Sequence, residues 1–203
     1  MELPRLYTIL DASFFPDTEA LCACAKELFL GGVNLLQYRN KSGSARQMLE
    51  QAQELKRRFG GCVKLIMNDR VDLCLAAGFN GVHVGQEDLS PENARKIIGP
   101  NLWLGVSTHN SEQVREAGKT SADYIAIGPV FPTSSKEKPD PVIGLEGVRK
   151  ARALTCKPLV AIGGITRANA RSVNEAGADS VAVISDLLQE PRKSAEDFFR
   201  VLR

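Results

Sequence analysis

Residues 33–69 read VNLLQYRNKSGSARQMLEQAQELKRRFGGCVKLIMND, and this stretch decides the fold. Its two ends, Val33 to Tyr38 and Val63 to Met67, are short apolar runs. Continuous runs of this kind suit strands buried on both faces, as in a parallel sheet. Between them Met48, Leu49, Ala52, Leu55 and Phe59 recur at spacings of three and four. That is the pattern of an amphipathic helix over residues 45–59. The stretch therefore reads as one strand–helix–strand unit.

The same alternation continues on both sides. Further apolar runs stand at Leu6 to Leu10, Gly81 to Val84, Leu102 to Val106, Tyr124 to Ile127, Leu159 to Ile162 and Ser180 to Ile184. Sharing 203 residues among eight units leaves roughly 25 each, which is tight but workable for a (β/α)8 barrel. The expected fold is α/β, a single-domain (β/α)8 TIM barrel over residues 1–203. An open doubly wound sheet would carry a glycine-rich turn after its first strand, and Asp11-Ala12-Ser13 is not one. Ser90 before Pro91 is a good helix start. Asn110 or Ser111 could cap the segment ending near Gly118, and Thr166 a helix over 167–175 that stops at Gly177. The long connection from Pro129 to Ile143 holds four prolines, and a loop of that length is usually functional or mobile.

Composition narrows the function classes. Lys plus Arg is 26, Asp plus Glu is 24, the net charge is +2 and 43% of residues are hydrophobic. These values fit an ordinary globular chain and argue against disorder, a collagen-like fibre or a disulfide scaffold. The balanced charge gives no reason to propose nucleic acid or an anionic membrane as partner. No run approaches the roughly 18 to 20 apolar residues of a membrane helix. The opening MELPRLYTIL lacks the features of a secretory signal. Five cysteines without a disulfide-like pattern point to a reducing cytoplasm. Cys22 and Cys24 form C-x-C within a helical segment, which would turn the two thiols to opposite faces and weighs against metal binding.

In a barrel the active site lies at the C-terminal strand ends. After the second strand, alternation puts Gln37, Arg39 and Lys41 on one side, suited to a polar anionic ligand or, equally, to a polar layer of the barrel core with a solvated Lys41. Asn68-Asp69 closes the third strand and Asp88 follows the fourth. Neighbouring strands lie about 4.8 Å apart, so these carboxylates can converge, and a divalent cation such as Mg²⁺ would relieve their repulsion. Asp69 has a second reading, as the N-cap of a helix over 70–77, and Asp88 a second one as a loop residue. Ser107 can donate to a phosphate or serve a turn. His83 and His109 could each be catalytic; a strand histidine is more often a satisfied structural one, and both are left outside the core set. Thr133, Ser134, Ser135 and Lys136 resemble an anion clamp on the proline-stiffened loop. Gly163-Gly164 and the loop after the eighth strand form the expected phosphate site of this fold.

Taken in order, Gln37-Tyr38-Arg39-Asn40-Lys41, Met67-Asn68-Asp69-Arg70-Val71-Asp72, Gly81-Val82-His83-Val84-Gly85-Gln86-Glu87-Asp88, Gly105-Val106-Ser107, Gly128-Pro129-Val130-Phe131-Pro132-Thr133, Lys136 and Ala161-Ile162-Gly163-Gly164-Ile165 resemble the thiamine phosphate synthase family through nearly the whole chain. The resemblance implies a (β/α)8 barrel that joins a hydroxymethylpyrimidine diphosphate to a thiazole phosphate and releases diphosphate. By that likeness Gln37, Arg39, Lys41, Asn68, Ser107 and Lys136 hold the pyrimidine diphosphate, with Arg39, Ser107 and Lys136 closest to the chemistry. Asp69 and Asp88 bind Mg²⁺, and Thr133, Ser135, Gly164, Ile184 and Ser185 hold the thiazole phosphate. Tyr38, Asn40 and Ser135 depart from the family pattern. Two rivals are a thiazole tautomerase and a non-catalytic thiazole phosphate-binding regulator; retention of Asn68, Asp69, Asp88 and Lys136 speaks against the first. The expected partners are small molecules, and a homo-oligomer is possible.

Overall fold

Each apolar run becomes a strand because Val, Ile, Leu and Met can be buried on both of its faces at once. The computed structural model describes residues 3–133 and 140–203. Strands β1 (Leu6–Asp11), β2 (Leu35–Arg39), β3 (Lys64–Asn68), β4 (Gly81–Val84), β5 (Trp103–Thr108), β6 (Tyr124–Ile127), β7 (Leu159–Ile162) and β8 (Ser180–Val183) are all parallel. They hydrogen-bond in sequence order, and β8 pairs back onto β1, with Leu6 opposite Val181, so the sheet closes. The outer ring is α1 (Thr18–Leu30), α2 (Ala45–Phe59), α3 (Val71–Ala76), α4 (Pro91–Ile98), α5 (Ser111–Lys119), α6 (Gly144–Leu154), α7 (Ala170–Glu175) and α8 (Pro191–Val201). The expected (β/α)8 barrel is the observed one.

Two apolar layers hold it. Between sheet and helices lie Leu36, Leu65, Val82, Leu104 and Ile125, meeting helix residues such as Leu21, Ala52, Leu55 and Val148. Inside the barrel, Ile9, Leu35, Ile66, Ala126, Val160 and Ala182 pack with Tyr7 and Tyr124. Above them the interior turns polar, with Gln37 and His83 buried. That change of chemistry along the strands makes the C-terminal rim the place for a ligand.

The helix starts follow from their caps, with two corrections. Ser44 and Gln47 form a reciprocal capping box on α2, Ser90 accepts from the Asn93 amide ahead of Pro91, and Asn110 caps α5. Asp69, however, does not cap α3. It has a positive φ of 59°, Arg70 occupies the cap position, and the Asp69 carboxylate is turned away to the Lys41 ammonium. Thr166 does not cap α7 either: that helix begins at Ala170, because Asn169 is committed to the preceding loop. Strand β2 begins at Leu35, since the Val33 amide is already used to close α1 on the Leu28 carbonyl. Cys22 and Cys24, expected on opposite faces, are both buried against the core. Among the described residues no cluster of three or more His, Cys, Asp or Glu side chains could hold a metal, and no helix is long and apolar enough to cross a membrane.

Candidate active site

The rim divides into two halves by strand order. Strands β2 to β5 present cations, carboxylates and Ser107; β6 to β8 present glycines, a threonine and a short 3-10 turn. In a ring of eight, β3 and β4 face β7 and β8 across the mouth.

On the first half, Gln37 and Arg39 point inward as alternation requires. Gln37 is buried, and its amide donates to the Tyr7 hydroxyl at 2.8 Å. Arg39 stands opposite Asp11 in the β1–β2 register, and the two side chains form an ion pair. Asp11 also accepts from the amide and hydroxyl of Ser13. It is therefore a fixed counter-charge that aims the guanidinium. Asp11 escaped sequence reasoning, although an inward acid in register with an inward arginine was a readable signal. Lys41 lies past the strand end, half exposed, and pairs with Asp69.

Tyr38 on β2 and Asn40 just past its end, two of the departures from the family pattern, act together. Tyr38 turns outward, and its hydroxyl donates to Gln51 Oε1 of α2 at 2.5 Å. Asn40 Nδ2 reaches the same oxygen at 3.1 Å, while Asn40 Oδ1 accepts from the amides of Ser42 and Gly43. The loop carrying Lys41 is thereby pinned to α2.

Asp69 and Asp88 come together as expected, with Asn68 next in sequence to Asp69 at the end of β3. Burial, followed by a hydrogen bond and charge from Asp69, holds the Asp88 carboxyl above its ordinary value; the Gly85 amide and Lys41 act in the other direction. The Gly85 N–H donates to Asp88 Oδ2 at 2.7 Å and fixes that carboxylate. Buried Asn68 Nδ2 has no hydrogen-bond partner. A buried donor left this way costs about 1–3 kcal/mol. Two crowded carboxylates without further protein ligands suit Mg²⁺, which keeps waters and takes substrate phosphates for its remaining positions. On β5, Ser107 Oγ lies 2.9 Å from His83 Nε2.

On the second half, Gly163 and Gly164 have φ values of +101° and +63°. A Cβ on Gly163 would lie 2.5 Å from Pro129 Cβ, and one on Gly164 2.5 Å from the Pro132 carbonyl oxygen. The glycines thus let the β6 loop lie on the β7 loop, fixed by Val130 N–H to Ile162 O at 2.9 Å and Phe131 N–H to Gly163 O at 3.0 Å. This brings Thr133, next to Pro132, to the same edge. Ile184 precedes a 3-10 turn, Ser185–Leu187, whose first N–H groups have no carbonyl within the turn to bond. Arg167 ties this loop to the one after β7 through Asp186, with Nε to Oδ2 at 3.0 Å. Ser135 and Lys136 lie outside the described residues. His109, whose role the sequence left open, lies against the start of the β6 loop, with its Nδ1 2.8 Å from the Gly128 carbonyl.

The family model described as thiamine monophosphate synthase matches residues 6–187. A thiamine-phosphate synthase of Koribacter versatilis is 60% identical over 205 residues, spanning 100% of this chain and 97% of the relative. One from Chloroflexus aurantiacus is 46% identical over 184 residues, spanning 89% and 83%. Among solved structures, a thiamine phosphate pyrophosphorylase from Pyrococcus furiosus superposes with a TM-score of 0.84 at 37% identity, covering 98% of this chain and 95% of that one. A 3-hexulose-6-phosphate synthase from Salmonella typhimurium, at TM-score 0.74 and 15% identity over 98% of each chain, shares the fold alone. The chain belongs to the thiamine monophosphate synthase family, transferases of thiamine biosynthesis.

Proposed function

We propose that the two halves of the rim are two substrate sites, and that the chain joins a hydroxymethylpyrimidine diphosphate held over β2 to β5 to a thiazole phosphate held over β6 to β8. The observation that carries this reading is the division itself. Asp69, Asp88, Arg39, Lys41 and the unpartnered Asn68 amide crowd one side, and the glycine-lined edge with its 3-10 turn lies across from them.

The first half receives a diphosphate. Asp69 and Asp88 would hold Mg²⁺, which when bound neutralises charge on the diphosphate oxygens. Arg39 is aimed by Asp11 and offers a fork suited to phosphate. Lys41, paired with Asp69 here, would swing to the diphosphate once a cation takes over the carboxylate. Lys136 would complete the set from the β6 loop. Asn68 Nδ2 and Ser107 would donate to the pyrimidine diphosphate, and Gln37 would line its floor.

The chemistry asks for charge stabilisation more than for acid–base work. As the carbon–oxygen bond breaks, negative charge grows on the departing diphosphate, and preorganised cations lower that barrier. The aminopyrimidine can spread the positive charge left on its methylene, so a dissociative path is open. The thiazole nitrogen attacks with its own lone pair, and no protein base is required for that bond. What remains is alignment of two ligands. Thr133, Ser135, Gly164, Ile184 and Ser185 would supply it by fixing the thiazole phosphate. The loop beyond Pro132 would shield the cation from water. All five cysteines are free thiols, which supports a reducing cytoplasm as the working compartment.

The test is to incubate purified protein with both substrates, with and without Mg²⁺, and to look for thiamine phosphate by mass. Product only with Mg²⁺ is expected. Product formed equally well in chelator defeats the metal assignment.

A further inference from the structure

A hydrogen-bonded chain of five side chains crosses the barrel interior and ends in the mouth. Gln37 Nε2 donates to Tyr7 Oη at 2.8 Å. Tyr7 Oη lies 2.8 Å from Tyr124 Oη, Tyr124 Oη 3.2 Å from His83 Nδ1, and His83 Nε2 2.9 Å from Ser107 Oγ. Tyr7 and Tyr124 are 1% and 0% exposed. Gly105 makes the central contact possible, since a Cβ there would overlap both the Tyr124 ring and His83 Nδ1.

The direction of the chain follows from counting protons. Gln37 Nε2 can only donate, so Tyr7 Oη accepts there. If Tyr7 gives its own proton to Tyr124, then Tyr124 donates to His83 Nδ1, His83 carries its proton on Nε2, and that N–H donates to Ser107. The protons of Tyr7, Tyr124 and His83 then all have acceptors. In the opposite direction Tyr7 would accept from both Gln37 and Tyr124. Its own proton would have no acceptor among the described residues, in a fully buried place where an orphaned group is costly. A doubly protonated His83 produces the same orphan, because both ring nitrogens would donate. Burial independently disfavours that cation by lowering the imidazole to about 4.

We infer that Tyr7, Tyr124 and His83 are positioning residues that fix the Ser107 hydroxyl as a hydrogen-bond donor to the bound diphosphate ester. With its oxygen already accepting from His83, the serine has one proton left and no protein acceptor for it among the described residues. Phosphate oxygens are acceptors only, so the serine enters the site with the complementary polarity. This inference rests on the reading that Ser107 touches the pyrimidine diphosphate.

The experiment is long-range ¹⁵N–¹H correlation on histidine-labelled protein, which distinguishes the tautomers. The chain has only two histidines, and a His109→Gln variant assigns them. Wild-type His83 is expected as the Nε2–H tautomer at neutral pH. In Tyr124→Phe, Nδ1 loses its donor. The tautomer should shift toward Nδ1–H, and KM for the pyrimidine diphosphate should rise about tenfold while KM for thiazole phosphate stays put. An Nδ1–H tautomer in the wild type overturns the relay outright and needs no variant to be folded. A folded Tyr124→Phe with wild-type KM also overturns it. An unchanged KM in Ser107→Ala, with the Nε2–H tautomer retained, instead overturns the substrate contact on which the relay's purpose rests.

Discussion

At the scale of single residues, the rim is built from groups that are uncomfortable without a ligand. Asp88 is the clearest. Its raised pKa means that the folded state binds its proton more tightly than the unfolded chain does. The folded state therefore loses stability as pH rises from the ordinary value of 3.8 through the raised one, and carries that penalty at neutral pH. An Asp88→Asn variant removes it. Because the side chain is exposed, the gain is small, a rise in Tm of no more than about 2–4 °C without Mg²⁺. The same change should cost at least about 100-fold in turnover and abolish any rise of Tm on adding Mg²⁺. Thermal melts with and without the cation, beside product assays, check all three; a melt of the variant that still responds to Mg²⁺ would place the cation elsewhere. Asp69→Asn should lose activity similarly. The strand-end residues were legible in the sequence because alternation and the barrel rule together assign a direction to each of them. Asp11, Tyr7 and His83 were not, because what they do depends on cross-strand register. Register places Asp11 beside Arg39, and only closure of the sheet brings Tyr7 to Tyr124.

At the scale of elements, the helices whose ends are set by local chemistry were legible and the loops set by tertiary contact were not. Helix α2 occupies the stretch its periodicity marks, with Met48, Ala52, Leu55 and Phe59 buried. Leu55 is fully buried, so Leu55→Ala should cost about 2–5 kcal/mol, read as a lower denaturation midpoint, while KM for thiazole phosphate is unmoved. The start of α7 shows the opposite case. Thr166 and Asn169 are both capping types, and nothing local chooses between them. The choice is made by the Gly164 carbonyl, which accepts from Asn169 Nδ2 at 3.0 Å while the Thr166 amide donates to Asn169 Oδ1 at 2.8 Å. The paired glycines were read as room for a phosphate; the group that lies against them is the β6 loop, so they serve as a plate on which that loop rests, beside the thiazole site proposed above. Gly164→Ala should therefore act twice, by straining a +63° φ and by pushing on Pro132. We expect a folded but less stable protein whose KM for thiazole phosphate rises about tenfold or more, with KM for the pyrimidine diphosphate little changed. Steady-state kinetics with each substrate varied in turn decide it: equal rises in both constants would argue against the division of the rim.

At the scale of the whole molecule, the barrel has a buried polar seam where most of its interior is aliphatic, and that seam makes stability depend on pH in a definite window. His83 is buried, and burial lowers its pKa to about 4, with the Asp88 charge acting in the other direction. An unfolded histidine titrates near 6.5. Above that pH neither state binds the proton, and the neutral imidazole costs nothing. As pH falls from about 6.5 to about 4 the unfolded chain takes up a proton that the folded chain refuses, so stability drops across that interval and the histidine's contribution levels off below it. At 1.36 kcal/mol per unit the full loss is about 3 kcal/mol, a large share of the stability of a domain this size. The lowered carboxylates do not blur the window. Glu54, whose pKa is held near 2 by Arg57 and Arg58, loses its pairing only as pH falls below the ordinary 4.5. Urea midpoints at pH 7, 5.5 and 4.5 should therefore fall steadily in the wild type. In His83→Gln, which keeps a polar side chain without a titrating group, the fall between 7 and 4.5 should be much shallower, even if the variant starts from lower stability for want of the Tyr124 and Ser107 bonds. Parallel curves for the two proteins would mean that the interior seam is open to water and that the imidazole titrates there as freely as it does in the unfolded chain.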